Sequence, residues 1–385
     1  MSGIQALINN GHAVYNFSNA KAQPEFLKEA KSRSLKIKQL SEYRGRIELL
    51  QDFRFTSAAT NICVSEDGNY IFAAGIYPPS IKIYDLSNIS VKCERGLNAQ
   101  VVKLLPLSDD YKKIALLLDD RNIELHAQYG RHFRIRIPKF GRDLAFNKYD
   151  AEILICGSAP EIYRLNLEQG RFTNPLVSKS SAYNSVVYNS KLNLISAGSE
   201  EGNLDIFDSR TSSVIHSHQE DREITSQCFD ETGLSIVVGY SNGKCTKYDM
   251  RYPKPMLVFD CNYNKPIKKI VQDREFLAIC DSKILKLYNF SNGELITYVE
   301  PNKDINDFAW QKGTGLILLA LESTKMEPYF IPRIGVAPKW CASIEGITEE
   351  LEQGKTDDDN LKFVTKEDLL KYNITQNKSI TLNRN

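Results

Sequence analysis

An all-β ring of seven blades, with four strands in each blade, is the fold class that this 385-residue sequence predicts. Two observations support the prediction. A motif of two apolar runs joined by a short turn recurs about every 41 residues, and Gly, Asn, Asp and Ser residues suited to tight hairpins separate the runs. Units of about 40–45 residues with four strands each are typical of WD40 β-propellers, whereas kelch repeats are nearer to 50 residues.

The repeat is marked by the residue that closes the first apolar run of each unit. Glycine holds this position in four units, at intervals of 41 residues or twice 41. Steps of the same length lead to further apolar runs, so the sequence predicts seven units between about residues 46 and 335. The marker positions are Gly75, residue 116, Gly157, Gly198, Gly239, Cys280 and Leu321.

The Trp-Asp dipeptide that is usual in WD40 repeats is missing. An aromatic residue followed by Asp or Asn takes its place, and we expect the ring to pack between blades and the polar residue to bond the following turn. The substituted pairs are Tyr84-Asp85, Phe207-Asp208, Tyr248-Asp249 and Tyr288-Asn289.

The last unit lacks an outer strand, because the Pro-rich segment IPRIGVAPKW (331–340) follows it directly. We expect the N-terminus to supply this strand and close the ring, with RIELLQDF (46–53) as the preferred candidate and HAVYNF (12–17) as the second. A closed ring leaves no edge to pair, so we expect a monomer. The predicted domains are an N-terminal strand and basic helical segment (1–45), the propeller (46–335) and an acidic tail with short helices (336–385).

The bulk composition limits the class of protein. A net charge of +1 excludes a uniformly basic nucleic-acid-binding protein, so any electrostatic interface is local. The eight cysteines form no CxxC pair and most of them lie in apolar runs, which indicates reduced thiols in the cytosol or nucleus. The N-terminal MSGIQALINNGH lacks the pattern of a signal peptide, and no apolar run reaches the roughly 18 residues that a membrane span needs.

No motif for catalysis is present. The sequence lacks a phosphate-binding glycine loop, a zinc-protease motif, a nucleophile elbow and the kinase motifs. His216 and His218 form the only close histidine pair, and we interpret them as solvated, because no further metal ligands accompany them. The sequence therefore predicts a binding scaffold that is not an enzyme and has no cofactor or metal.

The most basic stretch is RHFRIRIPKFGR (131–142), in which five of twelve residues are Lys or Arg. Its alternation predicts the outer strand of the second blade, with Phe133, Ile135 and Ile137 packing inward and a basic face opposite. Such charges also protect a sheet edge against mispairing, so the strand alone does not define a binding site.

The residues after this strand are more informative. Lys139, Phe140 and Arg142 are predicted to lie in the loop that enters the third blade, on one face of the propeller. A patch of basic and aromatic side chains on that face suits contact with phosphates and bases.

The two flanks carry opposite charge. Residues 28–46 hold seven Lys or Arg against two Glu within a predicted helical insertion, and residues 345–370 hold nine acidic residues against three Lys. Two short helical patterns, ITEELEQ (347–353) and TKEDLLKY (365–372), lie in this acidic tail. The flanks are either solvated surface or docking arms with opposite partner preferences.

Several long motifs resemble one family. IPKFGRD (137–143) and EIYRLNLEQGRFTNPL (161–176), with RGRIELLQDF (44–53), LSDDYKKI (107–114), APKWC (337–341), TEELE (348–352) and KFVTKEDL (362–369), occur in the order found in the nucleolar protein ten family, also called essential nuclear protein two. The resemblance runs from about residue 12 to 370. Members usually continue into a long charged extension, and activities housed there are not expected of a chain ending at Asn385.

The resemblance implies a nucleolar, non-catalytic WD40 scaffold of the small-subunit processome, which processes pre-ribosomal RNA. The implied partners are other processome proteins and pre-rRNA or its guide small nucleolar RNA, contacted directly or through proteins, with no membrane. The candidate RNA or partner contacts are Lys28, Lys31, Arg33, Lys36, Lys38, Arg44, Arg46, Arg134, Arg136, Lys139, Phe140 and Arg142, and the candidate docking residues of the tail are Trp340, Glu349, Glu350 and Leu351.

An alternative function remains open. FDSR (207–210) and YDMR (248–251) resemble the W-D-x-R box of substrate receptors of cullin-type ubiquitin ligases, in which Arg210 and Arg251 would contact the adaptor. Asp-x-Arg at a strand end is also common among WD40 proteins in general. Association with the adaptor that is abolished by Arg251→Ala would favour this alternative.

Overall fold

Seven antiparallel sheets follow one another along the chain and form the blades of a ring, which confirms the predicted seven-bladed propeller. The computed structural model describes residues 4–18, 49–252 and 254–360. Every marker position of the 41-residue repeat lies in the second strand of its blade. This strand is buried in all seven blades, which explains why its apolar run is the clearest part of the repeat.

Each of the first six blades consists of four consecutive strands, ordered from the central channel outward. Blade 1 contains β3 (Ala59–Val64), β4 (Tyr70–Gly75), β5 (Ser80–Asp85) and β6 (Ser90–Gly96), and blade 2 contains β7 (Val101–Pro106), β8 (Ile114–Leu118), β9 (Asn122–Ala127) and β10 (Gly130–Arg136). Blade 3 contains β11 (Gly141–Asn147), β12 (Glu152–Gly157), β13 (Glu161–Asn166) and β14 (Arg171–Val177), and blade 4 contains β15 (Tyr183–Asn189), β16 (Leu194–Ser199), β17 (Asn203–Asp208) and β18 (Val214–Gln219). Blade 5 contains β19 (Ile224–Phe229), β20 (Ser235–Tyr240), β21 (Lys244–Asp249) and β22 (Pro255–Asp260), and blade 6 contains β23 (Lys269–Asp273), β24 (Phe276–Cys280), β25 (Leu285–Asn289) and β26 (Leu295–Val299).

Blade 7 is completed by the N-terminus. Its own strands are β27 (Ile305–Trp310), β28 (Leu316–Leu321) and β29 (Glu327–Phe330), and the hairpin of β1 (Gln5–Asn9) and β2 (His12–Asn16) adds two more. The antiparallel partner of β29 is β2, with Tyr15 opposite Phe330. The second candidate for the closing strand is therefore confirmed.

The preferred candidate, residues 46–53, was wrong. Its described part, from residue 49 onward, forms no ladder with blade 7. It accepts one hydrogen bond there, from the Met326 N–H to the Phe53 carbonyl at 3.2 Å, beside an isolated bridge of Arg54 with Lys325, and it also packs against blade 1. There the Lys82 ammonium group lies 2.9 Å from the carboxylate of Asp52, and the ring of Phe53 contacts that of Tyr84 at 5.2 Å. These contacts commit the segment to blade 1, while Val14 and Tyr15 fill the buried position beside β29.

Apolar clusters between neighbouring blades hold the ring together. The aromatic residues that replace Trp of the Trp-Asp dipeptide are buried, with Tyr84 and Phe207 at 0% exposure. The following Asp or Asn accepts a hydrogen bond from the backbone N–H two residues later, as in Asp208 with Arg210 at 2.9 Å. The hydrogen bond also follows Tyr84, Tyr248 and Tyr288, so this part of the expectation is confirmed. Packing between blades is confirmed for Phe207, Tyr248 and Tyr288, whereas Tyr84 packs against Phe53.

Innermost strands line a central channel with a cavity of about 580 Å³. Side chains near one mouth reach the backbone of the next blade, as when Asn306 of blade 7 donates to the Ala59 carbonyl of blade 1 at 2.9 Å. Two ion pairs cross between blades inside the channel: Lys103 with Asp143 at 3.0 Å and Lys269 with Asp307 at 2.8 Å. The Asp143 carboxylate raises the pKa of the Lys103 ammonium group, so the channel wall stays charged at neutral pH.

The chain divides into two compact units, residues 1–340 and residues 341–385. In the second unit, helix α1 (Ser343–Asn360) contains the predicted helical pattern of residues 347–353. The predicted helix at residues 365–372 and the basic segment at residues 20–45 lie outside the described residues.

Candidate nucleic-acid interface

The basic stretch occupies the edge of blade 2, as the alternation predicted. Within the described residues, strand β10 pairs only with β9 and is therefore the outer strand. It ends at Arg136, two residues before Pro138. The connection to blade 3 spans residues 137–140 and contains Lys139 and Phe140. Arg142 does not lie in this loop, contrary to the prediction, because strand β11 already begins at Gly141.

The predicted packing face of β10 is only partly correct. Ile135 is half-buried and Ile137 is buried in the cluster between blades 2 and 3, but Phe133 is 55% exposed. The cause is a β-bulge between Arg131 and Phe133, which shifts the register of the strand against β9. A bulge adds one residue to one strand and so disrupts the alternation of inward and outward side chains.

Part of the basic charge is neutralised within blade 2. Arg134 forms an ion pair with Asp120, and its Nε lies 3.6 Å from a carboxylate oxygen of Glu124. Arg131 lies 3.5 Å from the same oxygen. Because the Glu124 side chain is buried, these two arginines stabilise the outer strand against it. Arg134 therefore has a structural role that the sequence prediction missed.

Four other residues lie at this end of blade 2, and we call them the basic patch: half-buried Arg121 and exposed Arg136, Lys139 and Phe140. Within the described ranges, neither Arg136 nor Lys139 has a carboxylate in ion-pair contact. The Arg121 guanidinium lies 5.3 Å from the centre of the Phe140 ring and donates to the Pro138 carbonyl at 3.4 Å. Phe140 is 55% exposed, so part of its ring is open for stacking.

Arg121 was missed by the sequence analysis. It lies in the turn between β8 and β9, which in an antiparallel blade is at the same end as the connection from β10 to β11. The propeller topology thus joins Arg121 to a loop about twenty residues later in the sequence. Arg121 belongs to the turn DDRN (119–122), where it follows two acidic residues. The turn therefore has no net positive charge and does not indicate a basic site.

Two contacts fix the conformation of the Phe140 loop. The backbone N–H of Ser158 donates to the Phe140 carbonyl at 3.0 Å. Arg142, at the channel mouth, donates to the amide oxygen of Asn184 at 2.5 Å and lies 3.1 Å from a carboxylate oxygen of Glu200. Arg142 is therefore neutralised and joins blade 3 to blade 4, which makes it a weaker candidate for phosphate contact than Lys139.

The remaining sequence-predicted contacts are elsewhere. Trp340 donates its indole N–H to the side chain of Gln311 at 3.2 Å, and in α1 Glu349 is exposed and Leu351 half-buried. Glu350 lies in the same helix, but its side chain is outside the part that the structure describes. Seven basic candidates also lie outside the described residues: Lys28, Lys31, Arg33, Lys36, Lys38, Arg44 and Arg46.

Arg210 and Arg251 occupy equivalent positions on the opposite face of the ring, after the third strands of blades 4 and 5. Arg251 donates from Nε and Nη2 to the two carboxylate oxygens of Asp249 at 3.0 and 2.7 Å, and Arg210 binds Asp208 in the same way. The hydrogen bonds from Arg251 lower the pKa of Asp249 to about 2. Both side chains are exposed, and adaptor binding by them stays a prediction.

Among residues 4–18, 49–252 and 254–360, no group of three or more His, Cys, Asp or Glu side chains has the geometry of a metal site. No helix within those ranges is both long and apolar enough to span a bilayer.

The seven four-stranded blades define a WD40-type β-propeller. The chain belongs to the nucleolar protein 10-like family, since residues 5–355 match the family described as "Nucleolar protein 10-like, N-terminal domain". It is 40% identical over 376 residues to nucleolar protein 10 of Xenopus laevis, which covers 94% of this chain and 54% of that protein.

Two further relatives carry informative names. Nucleolar protein 10 of Homo sapiens is 40% identical over 378 residues, covering 94% of this chain and 55% of that protein. Ribosome biogenesis protein ENP2 of Saccharomyces cerevisiae is 37% identical over 383 residues, covering 95% of this chain and 54% of that protein. The names agree with the nucleolar localisation predicted from the sequence. This chain spans about half the length of each of these relatives.

Proposed function

We propose that this chain is a non-catalytic scaffold of ribosome biogenesis that acts in the small-subunit processome of the nucleolus. The propeller offers rigid surfaces rather than a reaction centre, and the relatives include a protein named for ribosome biogenesis. Its partners are processome proteins together with pre-rRNA or a guide small nucleolar RNA.

The basic patch is the proposed site of direct RNA contact. The observation that carries this proposal is the exposed ring of Phe140, which the Arg121 guanidinium contacts and which is next to exposed Lys139 in the sequence. Single-stranded RNA is bound by this combination, because cations neutralise phosphates while an aromatic ring stacks on a base. Asp119 and Asp120 precede Arg121 in the same turn, but Asp120 is paired with Arg134, and Arg121, Arg136 and Lys139 form no ion pair within the described residues. Their charge is therefore available to a phosphate backbone.

The test measures binding of a fluorescein-labelled single-stranded 20-nucleotide RNA by fluorescence anisotropy at several salt concentrations. We expect the triple variant Arg121→Ala, Arg136→Ala, Lys139→Ala to bind more weakly. The slope of log affinity against log salt should fall by about 2 in absolute value, since each phosphate contact with single strands contributes roughly 0.7.

A matched control removes the same charge from the opposite face. The variant Lys191→Ala, Arg210→Ala, Arg251→Ala also deletes three exposed cations. It should bind RNA with the affinity and salt slope of the native chain. Equal loss in the two variants would show that binding depends only on net charge and would overturn the proposed site.

The scaffold proposal has a separate test. Tagged full-length protein is recovered from nuclear extract, with and without RNase treatment, and the associated proteins and RNA are identified. Recovery of small-subunit assembly factors with precursor rRNA is the expected result. Recovery of a cullin adaptor without assembly factors would overturn it and favour the alternative based on Arg210 and Arg251.

A further inference from the structure

The outer strand of blade 2 connects the basic patch with the opposite face of the ring. Strand β10 begins at Gly130, directly after Tyr129, and ends at Arg136, which belongs to the basic patch. We call residues 129–136 the blade 2 edge. The seven residues of β10 give this edge a length of roughly 23 Å, from the usual rise per residue of a β-strand.

Exposed aromatic rings mark the blade 2 edge. Tyr129 is 76% exposed and Phe133 is 55% exposed. Together with Phe140 of the basic patch, three of the seven exposed Tyr and Phe side chains of the described residues lie within twelve consecutive positions. No other outer strand in the described part of the chain exposes an aromatic ring. Charges protect a sheet edge against mispairing, but exposed rings do not, so edge protection leaves these aromatic residues unexplained.

The ring of Tyr129 is held in place by its surroundings. Its hydroxyl group shares a hydrogen bond with Nδ1 of His132, and the two rings meet edge to face with their centres 6.1 Å apart. The backbone of this turn is tied to β6, because Arg95 donates to the Gln128 carbonyl at 2.9 Å. The Gln128 side chain also donates to the hydroxyl of Tyr111 at 3.0 Å. A ring that is already fixed loses little conformational entropy when a base stacks on it.

The charge of the blade 2 edge also differs from that of the other outer strands. Strand β10 contains three arginines and no acidic residue. No other outer strand among the described residues has a net charge above +1. Rings and cations therefore occur together on this edge, which is the combination that binds single-stranded nucleic acid.

Arg131 keeps hydrogen-bond donors available although it is near an acidic side chain. It lies 3.5 Å from Oε1 of Glu124, and this oxygen has no hydrogen-bond partner among the described residues. The Arg131 side chain is 53% exposed, whereas that of Glu124 is buried. The ion pair thus balances the charge of Glu124 without occupying the outward N–H groups of the guanidinium. Those groups, like the guanidinium of Arg136, can donate to phosphate oxygens.

We propose that a single strand of RNA lies along the blade 2 edge, from the basic patch to Tyr129. This inference rests on the proposed RNA contact of the basic patch and extends it across the rim of the ring. Bases stack on Phe140, Phe133 and Tyr129. Arg131 and Arg136 contact the phosphates between these bases. Stacking on separate side chains requires bases that are neither paired nor stacked on each other, so the preferred ligand is single-stranded rather than duplex RNA.

The test compares two double variants in anisotropy titrations with the same 20-nucleotide RNA. Tyr129→Leu, Phe133→Leu removes both rings of the blade 2 edge and should weaken binding about tenfold or more, with an unchanged salt slope because no cation is lost. The matched control is Tyr252→Leu, Tyr263→Leu, which removes two exposed rings in blade 5 and in the connection that follows it. This control should bind RNA like the native chain.

Ultraviolet crosslinking of the native complex, followed by mass spectrometry, should join RNA to Tyr129 and Phe133. Both double variants should keep the native thermal unfolding curve, because all four side chains are exposed. The extension along the edge is overturned if the edge variant binds RNA like the control while the triple variant of the basic patch binds more weakly. In that case RNA contact at the basic patch still stands. If neither the edge variant nor the triple variant differs from the native chain, the extension and the proposed RNA site both fail.

Discussion

A β-carbon on residue 157 would lie 2.0 Å from the carbonyl oxygen of Phe140, so Gly157 is what allows the loop of the basic patch to approach β12. We expect Gly157→Ala to displace this loop and to reduce stability by about 1–3 kcal/mol, as overpacked interiors do. The same substitution should lower the affinity for RNA, because displacement of the loop moves Phe140 and Lys139.

Urea unfolding and RNA anisotropy measure the two effects. Gly96→Ala is the matched control, because a β-carbon there meets nothing within 4 Å. If Gly157→Ala matches Gly96→Ala in both measurements, the loop does not depend on this close approach.

Phe140→Leu separates stacking from charge. Leucine keeps an apolar side chain but offers no aromatic face, so RNA binding should weaken by about 1–3 kcal/mol, the usual value of one base–aromatic stack. The salt slope should stay unchanged, because no cation is removed. Anisotropy titrations at three salt concentrations measure both quantities. A changed slope with an unchanged affinity would contradict a stacking role.

Closure of the ring by β2 predicts a contrast between two N-terminal substitutions. Val14 is fully buried beside β29, whereas Ile8 in β1 is 68% exposed. Val14→Asp places an unpaired carboxylate in the interior and should reduce stability by about 3–5 kcal/mol. Ile8→Asp should leave the free energy of unfolding almost unchanged. Chemical unfolding of both variants measures this, and similar stability of the two would argue against the closing role of β2.

His126 makes stability depend on pH. Burial lowers its pKa below the ordinary 6.5, against the opposing effect of its hydrogen bond to Glu124, while the nearby Arg95 lowers it further. The folded state thus favours the neutral ring. The contribution of neutral His126 to the free energy of unfolding is complete above pH 6.5. It is lost as the pH falls through 6.5 toward the folded pKa, by up to about 1.4 kcal/mol per pH unit.

The measurement compares the free energy of unfolding of the native chain and His126→Gln at pH 7.5, 6.5 and 5.5. The native chain should lose more stability than the variant over this interval. His132→Gln, at an exposed histidine of the same blade, should follow the native chain. If the free energies of unfolding of the native chain and His126→Gln differ by the same amount at all three pH values, His126 does not make stability depend on pH.

The repeat made the blades predictable from the sequence. Local irregularities caused errors in the assignment of single residues to a strand face or a loop. The second strand of each blade is buried on both faces, so its apolar run survives even where the Trp-Asp dipeptide is lost. Phe133 was assigned to the wrong face because a bulge leaves no clear trace in residue types. Arg142 was assigned to the loop that follows Pro138, but β11 already begins at Gly141.

Contacts between distant segments account for the other differences. Both candidates for the closing strand are apolar and of suitable length, and only pairing with β29 distinguishes them. Arg121 joins the basic patch through the topology of blade 2, which brings two loops of one face together. Residue patterns describe single strands well, but they do not specify which segment completes a sheet.

The pairing of β2 with β29 also determines when the propeller can close during synthesis. The side chain of Asn16 donates to the Tyr329 hydroxyl at 3.1 Å across 313 positions of sequence. The hairpin of β1 and β2 is therefore synthesised long before the strand with which it pairs. Until then its buried residues stay uncovered and exposed to misassembly, so nascent chains of this protein should depend on chaperones that shield the N-terminus.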